Sequence, residues 1–163
     1  MQFKPEHFVF EDSLGYLISK LRGVMHMALD EQVADLDISA AQAVVLLRIS
    51  RNPDVPAATL CRFGGYDTGA MTRMLDKLED KGLLSRSRSE TDRRVVHLQL
   101  SEAGRHLCEQ LPERFCSVGN MLMSDFQDGE IEQLKLMLRK ALNMAEQNWS
   151  AHEATQHAQK GEV

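Results

Sequence analysis

The sequence predicts a mainly α-helical chain that carries one small β-hairpin. Apolar residues recur at steps of three and four along most of its 163 residues, which is the helical period. From Val96 to Leu100 the period drops to two, with Val96, Leu98 and Leu100 alternating with His97 and Gln99. A composition 43% hydrophobic and 26% charged is sufficient for a packed core and excludes wholesale disorder. The longest unbroken apolar run, Ala43 to Leu47, is far too short to span a membrane.

The first helix is expected from about Ser13 to Ala34. Leu14, Leu17, Ile18, Leu21, Met25, Ala28 and Leu29 line one face of it. Leu14, Leu21 and Ala28 repeat every seven residues, a short seam suited to packing on another helix. Asp37-Ile38 breaks the pattern. Ser39 with Gln42 three residues on forms a capping box, and a second helix runs to about Arg51. Its run Val44-Val45-Leu46-Leu47 is apolar nearly all round, which predicts a central, buried helix.

Asn52-Pro53-Asp54 is a turn, and Pro56 opens a third, short helix through Phe63. Gly64-Gly65 ends it. Asp67 or Thr68 caps a fourth helix to Lys81, with Gly82 as its stop. Two short helices joined at a glycine turn are the helix-turn-helix pattern. Leu83 to Arg88 and Arg94 to Leu100 then read as paired strands, with the polar run Ser89 to Arg93 at an exposed tip. A hairpin in that place is a wing.

Ser101 caps a fifth helix with Leu107, Leu111, Phe115, Val118 and Leu122 on its apolar side; Pro112 is expected to kink it or mark a junction. Asp128-Gly129 begins a last helix with Ile131, Leu134, Leu138, Ala141, Leu142 and Ala145 on one side, and the polar tail after Trp149 is expected to fray.

The fourth helix has two faces. Met71, Met74, Leu75 and Leu78 pack inward, while Thr68, Gly69, Thr72, Arg73, Asp76 and Lys77 point out. Short hydroxyls at one end and cations further along suit a helix that enters a major groove. Such a face is also an ordinary solvated surface, and alone it would favour that blander assignment. The hairpin shifts the balance. Arg86, Arg88, Arg93 and Arg94 are four cations within nine residues, able to reach phosphates or a narrow minor groove, and Asp92 is placed to brace one of them.

The stretches Met71-Thr72-Arg73-Met74-Leu75-Asp76-Lys77-Leu78-Glu79-Asp80-Lys81-Gly82-Leu83-Leu84-Ser85-Arg86, then Thr91-Asp92-Arg93-Arg94, then Leu98-Gln99-Leu100-Ser101-Glu102-Ala103-Gly104, resemble the MarR family of winged helix-turn-helix regulators, most of all its EmrR-type branch. The resemblance covers about Ser39 to Gly104. It implies a cytoplasmic, sequence-specific DNA-binding transcription regulator, a repressor that binds a palindromic operator as a homodimer. By position it assigns Thr68, Thr72, Arg73 and Lys77 to recognition-helix contacts, Arg94 to the minor groove, Asp92 to its brace, and Arg93, Arg86 and Arg88 to supporting phosphate contacts. It further implies residues 1–36 as an N-terminal dimerisation helix, 37–104 as the DNA-binding lobe and 105–149 as C-terminal dimerisation helices, with 150–163 a tail. Two recognition helices would then lie about one DNA turn, roughly 34 Å, apart.

The resemblance also implies release by a small phenolic or aromatic acid bound between the dimer domain and the lobe. Tyr16, Met25, His26 and Arg48 are the candidates to line that site, although each could equally serve as dimer core or surface. No cofactor or metal is expected. His106 and Cys108 lack zinc-ligand spacing, and no Gly-rich phosphate loop, nucleophile elbow or carboxylate pair with a neighbouring base occurs, so an enzyme is not expected. Three cysteines suit a reducing cytoplasm; none lies near the start of the first helix, where some relatives carry an oxidant-sensing thiol. Cys108 and Cys116, eight residues and about 12 Å apart on one helix, cannot pair. The N-terminus shows no secretory h-region.

A rival assignment is a helical dimer that binds protein through its lobe and leaves DNA alone. Four wing arginines argue against it. The net charge of −5 argues the other way only superficially. Residues 55–100 hold eight basic and six acidic side chains, so that segment is +2 and the rest of the chain carries −7.

Overall fold

The computed structural model describes residues 3–53, 55–88 and 96–160, with no side-chain description at 58, 62–64, 88 and 149–160. Six α-helices and a two-stranded antiparallel hairpin follow the predicted order: α1 Leu14–Gln32, α2 Ala40–Arg51, α3 Ala57–Gly64, α4 Thr68–Asp80, β1 Leu84–Arg88, β2 Val96–Leu100, α5 Glu102–Leu122 and α6 Asp128–Lys160. Two short 3-10 turns, Pro5–His7 and Phe10–Asp12, precede α1, and a third, Ala34–Leu36, follows it. The chain divides into two compact units, Met1–Leu122 and Met123–Val163.

In the first unit α2 is central. Ala40, Ala43, Val45, Leu46 and Ile49 are buried on it, joined by Met71, Leu75 and Leu78 of α4, Leu98 of β2 and Leu107, Leu111 and Val118 of α5. The apolar run read from sequence therefore marks the centre of the core. The capping box of α2 forms as expected. Ser39 Oγ accepts from Gln42 N at 3.2 Å, and Gln42 Oε1 accepts from Ser39 N at 2.9 Å.

The link between α1 and α2 is held from two sides. Arg114 of α5 donates to the Gln32 carbonyl at 2.9 Å and to the Asp35 carboxylate at 2.7 Å. Lys81, just past α4, donates to the Asp37 carbonyl and to its carboxylate, the latter at 2.7 Å. Asp37 sits at φ 53°, a left-handed conformation that Asp tolerates better than most residues.

α4 ends in a Schellman motif. Gly82, at φ 66°, donates to the Glu79 carbonyl at 2.8 Å, and Leu83 donates to the Leu78 carbonyl at 3.0 Å. The chain then enters β1, which pairs with β2 in the register Leu84↔Leu100, Arg86↔Leu98 and Arg88↔Val96. Ser101 ties the far end of the hairpin back: its hydroxyl donates to the Gly82 carbonyl at 2.6 Å and accepts from Gly104 N at 3.0 Å, capping α5.

Two helices run on where the sequence pattern changes. α5 runs through Pro112 without a break; Pro112 is exposed, and Leu107, Cys108 and Leu111 before it and Val118 after it anchor the helix in the core. α6 is helical through Lys160, past the Trp149 at which the tail was expected to begin; no Pro or Gly intervenes between Gly129 and Gly161. Within the second unit α6 is a single helix of 33 residues with Leu136, Met137, Leu138, Leu142 and Met144 exposed. No helix among the described residues is long and apolar enough to cross a membrane.

Candidate nucleic-acid interface

α4 is built to present one face outward. Asp67 caps it, its carboxylate accepting from Ala70 N at 2.8 Å. Met71, Leu75 and Leu78 anchor the inner stripe, which leaves Thr68, Thr72, Arg73 and Lys77 exposed as the sequence pattern requires. The Thr72 hydroxyl donates to the Thr68 carbonyl at 2.8 Å, so its oxygen lone pairs remain outward. Gly69 leaves room for Arg73: a Cβ there would meet the Arg73 guanidinium at 3.3 Å.

The exposed arc has two margins of different chemistry. On the side toward α2, Arg73, Lys77 and Lys81 join Ser39, Gln42, Ala70 and Met74 around an open groove of about 570 Å³. On the side toward the hairpin lie Asp76 and Glu79, three residues apart and therefore neighbours on the helix surface. Sequence reasoning placed Asp76 with the outward face and missed the partnership it makes.

That partnership is with Arg86. Alternation along β1 puts buried Leu84 and half-buried Arg86 on the inner side of the hairpin, and exposed Ser85 and Ser87 on the outer side. Arg86 Nε donates to Glu79 Oε2 at 2.8 Å, its Nη2 donates to Asp76 Oδ1, and its own backbone N–H donates to Glu79 Oε1 at 3.1 Å. The hydrogen bond that Arg86 donates to Asp76, reinforced by Glu79 and opposed by partial burial, holds the guanidinium proton more firmly than in a free arginine. Arg86 is thus engaged inside the lobe, where the sequence suggested a phosphate contact.

Arg88 closes β1 opposite Val96, with its side chain outside the described set. Asp92, Arg93 and Arg94 lie outside the described residues. Cys108 is buried on α5, and that burial pushes its thiol pKa up against a hydrogen bond from Ser50 that lowers it. Among the described residues no group of three or more His, Cys, Asp or Glu side chains is placed to hold a metal ion.

A family model described as "MarR family" matches residues 38–96, the stretch that contains α2, α3, α4 and β1 and ends at the first residue of β2. The multiple antibiotic resistance protein MarR of Escherichia coli is 32% identical over 130 residues, spanning 79% of this chain and 90% of that protein. The chain belongs to the MarR family. A crystal structure of a mutant E. coli MarR complexed with operator DNA is 31% identical, has a TM-score of 0.73 and matches 83% of this chain and 99% of that one. A MarR family protein of Mycobacterium tuberculosis, solved in complex with salicylic acid, shares the fold at 24% identity and a TM-score of 0.68, over 82% of this chain and 98% of that one. The MarR family consists of transcriptional regulators, not enzymes, and the winged-helix architecture is common to it and to this chain.

Against that MarR architecture, the four ligand candidates are scattered. Tyr16 packs its ring on Phe10, centroids 5.1 Å apart, with Lys20 Nζ 5.6 Å over it. Met25 lies nine residues further, about 13 Å along α1 and on its opposite side. Met25 is exposed, while His26 is half-buried on α1 and Arg48 half-buried on α2. The α2–α4 groove includes none of the four.

Proposed function

We propose that the chain binds operator DNA as a homodimer and acts as a repressor, released when a small aromatic or phenolic acid binds. The exposed Thr68, Thr72, Arg73 and Lys77 on a helix anchored from behind by Met71, Leu75 and Leu78, next to a basic hairpin, carry this assignment. Support comes from a MarR relative of 31% identity solved on operator DNA. Lys77 and Arg73 supply the cations, the threonines the close approach, Arg94 the reach into the minor groove with Asp92 bracing it, and Arg88 and Arg93 supporting phosphate contacts. The sequence motifs place the chain nearest the EmrR-type branch.

Dimerisation follows from uncovered apolar surface. Leu14, Leu17, Ile18, Leu21 and Met25 form a stripe on α1 that the first unit leaves between 38% and 58% exposed. A stripe of that length is an association surface, and a second copy supplies a matching one. Ligand release then requires that the effector bind unequally to two spacings of the lobes, with Tyr16, Met25, His26 and Arg48 as candidate contacts across the assembled dimer. Salicylic acid bound to a protein of the same fold makes small aromatic acids the first class to try.

An electrophoretic shift assay on DNA upstream of the chain's own gene, repeated at several salt concentrations, tests this. A discrete complex is expected, weakening steeply as salt rises. Binding without sequence preference or salt slope would rule the assignment out. Arg94→Ala should weaken the complex severely and leave the dimer intact. Arg73→Ala should weaken it and relax preference at one base position in a selection from random DNA. A small aromatic acid that acts as effector should raise the melting temperature of the free protein.

A further inference from the structure

The hairpin and α4 reach DNA by different routes, the one through the minor groove and the other through the major. Nothing in an isolated two-stranded hairpin fixes its angle to a neighbouring helix, and such a hairpin is only marginally stable. Here one inward arginine does so at the strand that leaves α4. Arg86 sits opposite fully buried Leu98 and spreads its guanidinium between Asp76 and Glu79, while Glu79 also accepts from the Arg86 backbone. Side chain and main chain of one strand residue are thereby fastened to two successive turns of the recognition helix. Arg86 is 26% exposed, so the pair of ion contacts is partly shielded from water. The rigid guanidinium fork presents Nε to Glu79 and Nη2 to Asp76 separately, whereas a lysine offers one point-charge nitrogen with no fixed fork.

We propose that Arg86, Asp76 and Glu79 form a positioning latch that locks the hairpin to the recognition helix, so that major- and minor-groove contacts are made as one rigid unit. This rests on the DNA-binding assignment above. It assigns Asp76 and Glu79, two acids beside the DNA-facing side, a favourable role in binding a polyanion. The sign of their effect therefore separates the latch from a simple electrostatic surface. If they were ordinary surface acids near phosphates, removing them would tighten binding. If they hold the latch, removing them weakens it.

The test uses the full-length chain and a duplex that the wild-type protein selects from a random pool. D76A/E79A and, separately, R86K are expected to bind that duplex roughly tenfold more weakly than wild type, while keeping the wild-type dimer. R86K retains the charge, so a phosphate-contacting residue would tolerate it and a latch would not. Each is then combined with R88A/R93A/R94A, which removes the hairpin's other arginines. The latch variants should cost little further affinity there, because the latch acts through the hairpin; full additivity would overturn the proposal. Should D76A/E79A fail to fold, R86K carries the test alone. If the wild-type chain selects no duplex, the DNA-binding assignment falls and the latch with it. If it selects one and the latch variants bind as tightly as wild type or tighter, the latch alone falls.

Discussion

Gly104 shows how little freedom the lobe leaves at single positions. A Cβ built there would stand 1.9 Å from the Leu83 carbonyl oxygen, a backbone atom that cannot swing aside. Gly104→Ala should therefore destabilise the lobe by about 3 kcal/mol, measured by urea unfolding. The requirement was present in the sequence only as a motif glycine; its cause, the carbonyl of Leu83 just before β1 and twenty-one residues earlier, is a tertiary fact. Cys108 offers a second test at this scale. Because burial raises its thiol pKa, the folded state keeps the proton, so this contribution to stability is complete below the ordinary thiol range. It is lost as pH rises through the raised value. Alkylation of Cys108 should lag behind that of a free thiol in native protein at pH 8.5 and catch up in denaturant. A native-state rate equal to the denatured one would contradict the burial. The engagement of Arg86 could not be read from composition, since Asp76 and Glu79 are ten and seven residues away and both looked like surface acids. An acidic pair at i, i+3 followed by an arginine at an inward strand position is the pattern that would have shown it.

At the scale of elements, caps and breakers decide the boundaries. Ser39, Asp67 and Gly82 each do what their residue type predicts, and those three ends were legible because capping is local chemistry. Ser39→Ala should cost about 1 kcal/mol and expose the first turn of α2, readable as a lower melting temperature. Pro112, a residue type that often ends helices, lies inside one here. It lacks an N–H to bond the Cys108 carbonyl, yet flanking core contacts carry α5 past it. Pro112→Ala should consequently raise stability, by about 2 kcal/mol after the looser unfolded chain is counted; an unchanged or lower melting temperature would show that the proline is accommodated without penalty. The last third of α6 gave no apolar signal because the apolar stripe ends near Trp149 while helix-forming residues continue. The two 3-10 turns before α1 gave no periodic signal, being three residues each.

For the whole molecule, uncovered apolar surface is the dominant observation. The α1 stripe predicts melting that depends on protein concentration, as expected when association stabilises the fold. Ile18→Glu, at a position 51% exposed in the single chain, should leave the first unit folded but shift sedimentation toward the monomer. An unchanged sedimentation coefficient would mean that this stripe is not the interface. The charge division gives the complementary expectation. With +2 on residues 55–100 and −7 elsewhere, binding to arbitrary DNA should be weak and should disappear quickly with added salt. The architecture was legible because helical period, turn residues and the change to period two are all written locally. How the five helices of the first unit share one apolar core was not.

The double hold of Lys81 on Asp37 has a mechanical consequence. It pins the C-terminal end of α4 to the joint between α1 and α2, while the N-terminal end carries Thr68 with no comparable tie to that joint. The helix is then a lever about 18 Å long with its fulcrum at Lys81. A tilt of about 10° around that fulcrum displaces Thr68 by about 3 Å, close to the rise of one base pair, and leaves Lys77 almost where it was. Met71 is fully buried on the same helix, so such a tilt has to carry its patch of the core along, and register on a groove is held by packing as well as by Lys81.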